Sequence, residues 1–475
     1  MNMLIQNKRN LIVAWIGVVV VAVLAYGTAA DYLFPDSVYL LALIGLIVAA
    51  MIVKTPILGL YLLILISPFK NQGEEILLLA KLVGLWIAAV LFLTKIFNSE
   101  SIKFSGLERP IIIMLGGMSI SFFRTDEFTY VANNLLSMVS LFGLLLVILN
   151  ILRNEAKLKR FIWVFFLSSM VPLIFAYRQA MDTNQEITYL RSYGTFPLPT
   201  GLGGFLLPIL VLAFALIFYQ GLTRTERWFV LGIFGAGMVG LILTFSRGAI
   251  IGCFVGMIVV FAYIRRQRTG RQFSLVLVVI LVVIPMGLFW TSFQGRVVNP
   301  MLEFLSGGDG GVNLDQRYDE LSVIIPVMLD NKFMGTGLGN YDEAALRYRQ
   351  EFNLPDLPTY PHNIFMYFLG EVGIFAAFGF FGLIILLILA IIRSSSDMQI
   401  APRDLYYYVY LGSVGSLVGY ISFVVTHSAF FTNEIWVMIA LLLTTVQHQN
   451  SMQTLDEYAD VTHQPGLGPG MSFEA

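Results

Sequence analysis

Apolar runs recur along the whole chain, separated by short stretches that carry charge or proline. They fall near residues 11–30, 37–53, 55–69, 76–94, 110–123, 131–150, 161–177, 200–219, 228–246, 248–264, 273–290, 371–392, 405–427 and 431–447. A helix that crosses the hydrocarbon layer needs about 20 residues, with a floor near 17. Most of the runs satisfy that; those at 55–69 and 110–123 are short. The pattern therefore predicts an all-α, polytopic membrane protein of about 12 to 14 transmembrane helices. Pro35, Pro56 and Pro110 stand where turns at the membrane surface are expected. The first run follows Lys8 and Arg9 and ends near Ala29 and Ala30, so a signal peptide competes with a first span. The many runs that follow favour the span.

One interruption differs from the rest. Residues 291–373 begin as a polar segment of roughly seventy residues, far longer than an ordinary connection, and end in an apolar helix carrying Glu371. Within it Leu321, Ile324, Ile325 and Met328 follow the spacing of one helix face, with Pro326 as a possible kink. Asn313 and Gln316 resemble a capping box at its start. A second helix is expected from residue 341 to about 352, with Asn340 as N-cap and Glu343 paired to Arg347 on the surface. Residues 363–392 contain no proline. As one helix they would measure about 45 Å, against a hydrocarbon core of about 30 Å. A short piece over 363–370, lying at the membrane surface ahead of the span proper, resolves that excess.

Composition fixes the class. Hydrophobic residues make up 57% and charged residues 12%, about half the charge of a soluble domain, and mean hydropathy is +0.78. Net charge is −1 and no basic domain stands out, so nucleic acid is not an expected partner. Cys253, the one cysteine, lies in an apolar run and excludes an intrachain disulfide. Lysine and arginine gather in alternate short loops, above all at Arg265, Arg266, Arg268 and Arg271. That asymmetry places both termini in the cytoplasm and the long loop outside. Gly232, Ala236 and Gly240, like Gly248, Gly252 and Gly256, recur every four positions and predict close helix packing. The organisation expected is N-terminal transmembrane helices over 1–177, a core over 178–392 with the outer loop 291–363, C-terminal helices over 393–447, and a disordered cytoplasmic tail over 448–475.

Candidate chemistry gathers on the outer side. His362 is the one histidine of the outer loops. It would stand at or just before a helix N-terminus, where the dipole favours a neutral ring, the form a general base needs. A hydrogen-bonded structural histidine is the plainer reading. Arg247 interrupts an apolar stretch at the outer end of a span, either snorkelling to the interface or gripping an anion at the Ser246–Arg247–Gly248 turn. Arg191 and Arg317 are each explained as solvated residues. Together with Arg247 they form a set suited to a diphosphate, since guanidinium donors match phosphate oxygens two at a time. Glu371 would orient His362, bind a sugar hydroxyl, or simply sit at the outer rim. Tyr318, Phe333, Tyr341, Tyr348 and Tyr360 would stack on sugar rings or anchor the interface. Gly335–Thr336–Gly337–Leu338–Gly339 lacks the Gly-Lys-Ser/Thr of a phosphate loop. No His, Cys and carboxylate cluster has metal spacing, so no metal or other cofactor is expected.

The order of Arg191-Ser-Tyr-Gly-Thr-Phe, Ser246-Arg-Gly-Ala, Asp315-Gln-Arg317, Gly335-Thr-Gly-Leu-Gly-Asn340, His362-Asn363 and Glu371-Val-Gly373 resembles the O-antigen ligase and Wzy-type polymerase superfamily. These motifs cover about residues 190–392. The resemblance implies a metal-independent, GT-C-like glycosyltransferase of the bacterial inner membrane, acting in the periplasm on an undecaprenyl-diphosphate-linked glycan. It implies Arg247 and Arg317 on the diphosphate, Arg191 as a further basic position, and His362 activating the acceptor hydroxyl, with Glu371, Asn363 and Ser246 in support. The acceptor would be a glycan chain end for a polymerase, or lipid A–core or protein for a ligase. Membrane lipids and other polysaccharide assembly proteins are the remaining expected partners. Outside the family, a secondary transporter would need ionisable groups at mid-membrane and repeated halves, and a non-catalytic scaffold would tolerate loss of His362 and Arg247.

Overall fold

The computed structural model describes residues 49–69, 74–125, 127–181, 191–266, 314–354, 363–396, 404–425 and 432–462, with a few isolated positions. Every regular element among them is helical. The first group comprises α1 (Pro56–Ile66), α2 (Glu74–Phe97), α3 (Glu108–Ile120), α4 (Phe128–Ile151), α5 (Glu155–Leu167) and α6 (Met170–Met181). Next come α7 (Pro199–Ile217), α8 (Arg224–Leu243) and α9 (Arg247–Arg266). The loop contributes α10 (Leu314–Asp330), α11 (Tyr341–Glu351), the short α12 (Ile364–Met366) and a π-helical turn, Tyr367–Val372. The chain continues through α13 (Ile374–Ser396), α14 (Leu405–Val424) and α15 (Asn433–Thr462).

Eight segments among the described residues are long and apolar enough to cross a membrane, namely α2, α4, α5 with α6, α7, α8, α9, α13 and α14. The all-α polytopic architecture expected from the hydropathy pattern is therefore observed. The runs at 11–30 and 273–290, and most of that at 37–53, lie outside the described residues. So do the capping residue Asn313 and nearly all of 291–313.

Two helices form the centre. The spanning windows of α7 and α14 are 89% and 83% buried, whereas that of α13 is 33% buried and turns most of its surface outward. α9 closes on α14 through the small residues that the sequence spacing singled out. A Cβ at Gly252 would stand 2.5 Å from the Gly419 carbonyl oxygen, and one at Gly256 2.6 Å from that of Gly415. Only glycine lets the two backbones approach so closely. Because Gly252 meets Gly419 while Gly256 meets Gly415, the two helices run antiparallel. The α8 stripe is less complete: Gly240 packs against Leu173 and Leu206, but Gly232 faces no neighbour. At the far end of α8, Lys159 pairs with Glu226 at 2.8 Å, and Thr223 and Glu226 form a capping box. The basic loops around Lys159 and Arg224 thus share one end of the bundle, opposite Arg247.

Several elements depart from the pattern read in the sequence. α10 buries Glu320, Val323, Ile324 and Val327, whereas Leu321 and Ile325 are exposed. Ile324 is drawn in because Gly370 offers bare backbone: a Cβ there would lie 2.7 Å from its Cδ1. Val323, Ile324 and Val327 close a small core with Tyr341 and Ala345 of α11. Pro326 lies inside α10 without ending it. Arg347 pairs with Asp330 at 4.0 Å across the α10–α11 contact, rather than with Glu343 on its own helix. Both partners are exposed, so the pair contributes little. Residues 448–462, expected to be disordered, continue α15. That helix is nucleated by buried residues such as Trp436 and Leu441, and extending an existing helix costs far less than starting one.

Candidate functional site

The turn between α8 and α9 is built by its own hydroxyls. Thr244 Oγ1 donates back to the Leu241 carbonyl (2.7 Å) and accepts the Ser246 N–H (3.1 Å). Phe245 between them takes a positive φ of 48°, unusual for a bulky side chain. The chain reverses there within three residues, and Arg247 opens α9 half-buried. Ser246 is buried against Gly203, and its hydroxyl has no hydrogen-bond partner within the protein.

The Arg191 motif is held beside this turn. The Ser192 N–H donates to the Leu243 carbonyl and Arg191 Nε to the Thr244 carbonyl, each at 3.0 Å. The following residues are clamped by Gln179, which accepts the N–H groups of Tyr193 and Gly194 and donates to the Gly194 carbonyl. Thr195 donates to the Pro68 carbonyl at 2.6 Å. Arg191 and Arg247 therefore flank one turn, at the positive end of the α9 dipole.

Asn363 reaches the same end of the bundle from another direction. Its Oδ1 accepts the Phe365 N–H (2.8 Å), capping α12, and its Nδ2 donates to the Val425 carbonyl just past α14 (2.9 Å). Arg247 lies five residues before Gly252, and Val424 five residues after Gly419. At 1.5 Å per residue each stands about 7.5 Å beyond that glycine contact. Since the helices are antiparallel, Arg247 and the Asn363 anchor sit at one level.

From Asn363 the chain forms α12, the π-helical turn and then Gly373, whose φ of 102° breaks the helix before α13. A separate short helical piece precedes α13, as expected over 363–370, and ends at Val372, two residues later, with Tyr367, Phe368 and Glu371 buried. Single π-helical turns inside helices often mark functional positions. A glycine clasp fixes its C-terminal end. Gly335, Gly337 and Gly339 all have positive φ, a conformation that other residues rarely adopt. The loop they form donates Thr336 N–H to the Gly370 carbonyl and Gly337 N–H to the Glu371 carbonyl, both at 3.0 Å. The Phe333 carbonyl in turn accepts the Ile374 N–H at 2.8 Å.

Glu371 is buried inside this clasp, so it is not a carboxylate at the rim. Its Oε1 accepts the Gly339 N–H at 2.6 Å. Tyr130, Tyr341 and Tyr367 lie close enough for its charge to act on them. Burial pushes its carboxyl up to about 7, against the opposing pull of the Gly339 N–H. Asn340 also departs from its expected role. It makes no side-chain cap for α11, but accepts from Thr125 Oγ1 (2.8 Å) and donates to the Arg124 carbonyl (2.9 Å). Arg124 meanwhile donates to Asn331 Oδ1 at 2.9 Å. The clasp thus ties the α3–α4 connection to the loop. The alternating glycines were visible in the sequence; their partners, distant along the chain, were not. Tyr341 is buried and Phe333 exposed, so of the two only Phe333 keeps an open aromatic face.

A pH test isolates Glu371. Its carboxyl holds a proton up to about pH 7 in the folded chain, against an ordinary value of 4.5. Between those values the folded state binds more protons, so stability falls as pH rises through the window. The full shift corresponds to roughly 3 kcal/mol. Glu371→Gln cannot titrate, so its melting temperature in detergent is expected to gain several degrees on the parent between about pH 5 and pH 8. A difference that stays constant with pH would rule out titration of this carboxyl in the fold.

The structure thus brings Arg191, Ser246, Arg247 and Asn363 to one end of the bundle. Arg317 lies on the first turn of α10, its side chain outside the described residues, and His362 lies outside them altogether, next in sequence to Asn363. Residues 229–381 match a family model described as O-Antigen ligase. No curated protein matches the chain. The matched segment contains Arg247, Arg317, His362, Asn363 and Glu371, and leaves Arg191 outside.

Proposed function

We infer that this chain, whose residues 229–381 match the O-Antigen ligase family model, transfers a polyprenyl-diphosphate-linked glycan to a sugar hydroxyl. The family segment supports an enzyme of the ligase or polymerase type in surface polysaccharide synthesis. The observation that carries the finer reading is the meeting of Arg247, Arg191 and the Asn363 anchor at one end of the spans. A transporter would need its charges near mid-membrane. Arg191 and Arg247 stand instead at the end of a span, which supports a ligand held at the headgroup level.

In this proposal Arg247, Arg317 and Arg191 hold the diphosphate, and the lipid tail lies between spans. His362 takes the proton of the acceptor hydroxyl. The hydroxyl oxygen bonds to the anomeric carbon as the bond from that carbon to the diphosphate oxygen breaks. The electron pair leaves with the polyprenyl diphosphate, whose growing charge the arginines stabilise, and the configuration inverts. Protons and charge balance among the chain's own residues and the two substrates. The distribution of lysine and arginine supports a site on the outer face of the bacterial cytoplasmic membrane.

Deleting the chain from its host tests the reading. Loss of the surface glycan with accumulation of lipid-linked single repeats identifies a polymerase. Accumulation of full-length lipid-linked chains identifies a ligase acting on lipid A–core or protein. Unchanged glycan would refute both.

A further inference from the structure

α10 carries two apolar faces, and the fold uses one. Val323, Ile324 and Val327 are buried against α11 and Gly370. Leu321, Ile325 and Leu329 recur every four residues about 100° around the helix from Ile324, and are 39%, 51% and 56% exposed. The stripe runs on into Phe333 and Met334, also exposed. The exposed Asp330 lies five residues from Ile325, about 140° around the helix, and marks its polar side.

What lies beside the stripe identifies its occupant. The Phe333 carbonyl accepts the N–H of Ile374, the first residue of the span Ile374–Ser394. That span turns Phe375 and Phe378 outward. On the other flank, the Arg124–Asn331 hydrogen bond fastens the end of α10 to the α3–α4 connection, where Phe123 and Phe128 are exposed at the ends of two helices. The stripe is therefore continuous with the lipid-facing surface of the spans. Lys332, exposed at its end, is placed to meet headgroup phosphates.

We propose that α10 lies along the membrane, with Leu321, Ile325 and Leu329 seated in the interfacial region of the phospholipid leaflet at the loop end. A helix with one apolar face on protein and another on lipid is the interfacial counterpart of an amphipathic surface helix. The surface would serve whatever glycan the chain handles. Through α10 it would set the height of the helix turn that carries Arg317.

Spin labels in lipid nanodiscs test this in the full chain. Ile325→Cys is labelled beside Asp330→Cys as the water reference and Phe378→Cys as the lipid reference. The buried Cys253 is replaced by serine throughout. The label at 325 is expected to collide with oxygen more than with a water-soluble nickel chelate, as at 378 and in reverse of 330. Greater access to the nickel chelate would overturn the proposal by showing a face open to water. Exclusion of both reagents would overturn it by showing a cover of protein, from this chain, a second copy or another partner. Should labelling unfold the chain, Ile325→Trp with brominated phospholipids asks the same question: quenching upholds the proposal and its absence refutes it.

Discussion

His362→Ala is expected to lower glycan transfer by about 10²- to 10⁴-fold, the usual contribution of a positioned general base, while the chain still inserts and melts normally. The assignment rests on chemistry that the neighbouring residue helps to define. Asn363 caps α12 and is anchored to the end of α14, so His362 immediately precedes a fixed helix start. In the parent, transfer should rise with pH through the range where histidine loses its proton, about 6.5 for an unperturbed side chain. The variant's residual rate should lose that limb. His362→Gln separates the roles: it retains hydrogen-bonding capacity but cannot carry the proton, so a structural histidine would be rescued by it and a base would not. Normal glycan in His362→Ala would sink the assignment.

How much of this was legible in the sequence differs by element, for physical reasons. Span positions follow from hydropathy because lipid imposes a length on any crossing helix. The helix expected from residue 341 to about 352 is found as α11, Tyr341–Glu351, because its polar, helix-favouring composition acts locally. A helical break before α13 was likewise foreseen from the mismatch between chain length and bilayer thickness. The buried face of α10 was not. Spacing marks apolar positions but cannot say which side meets Gly370, a residue distant in sequence. Asn340 stands at the N-cap position of α11 as expected, but its side chain, like that of Glu371, is engaged elsewhere for the same reason. The Gly339 N–H, the Arg124 carbonyl and Thr125 that engage them belong to other segments. Arg191 beside the Thr244 turn was anticipated as a companion of Arg247 from charge alone, and the backbone contact supplies the geometry.

Arg247→Ala is expected to reduce transfer by at least about 10²-fold, as when a single donor to a developing negative charge is removed elsewhere. The case for function over structure is electrostatic. Arg247 occupies the first position of α9, where the helix dipole is positive and a cation is disfavoured by roughly 0.3–1 kcal/mol. Acidic residues suit a first turn, and α9 has none there. A guanidinium at that place adds to the positive potential instead of relieving it, which favours the proposed contact with an anion. Alanine should lower activity by far more than any change in melting temperature explains. Arg247→Lys keeps the charge but not the planar fork. If the residue grips two diphosphate oxygens at once, lysine should recover only part of the rate, with most of the deficit in kcat because the leaving group's charge is greatest in the transition state. A loss of melting temperature that accounts for the loss of activity would return Arg247 to a packing role.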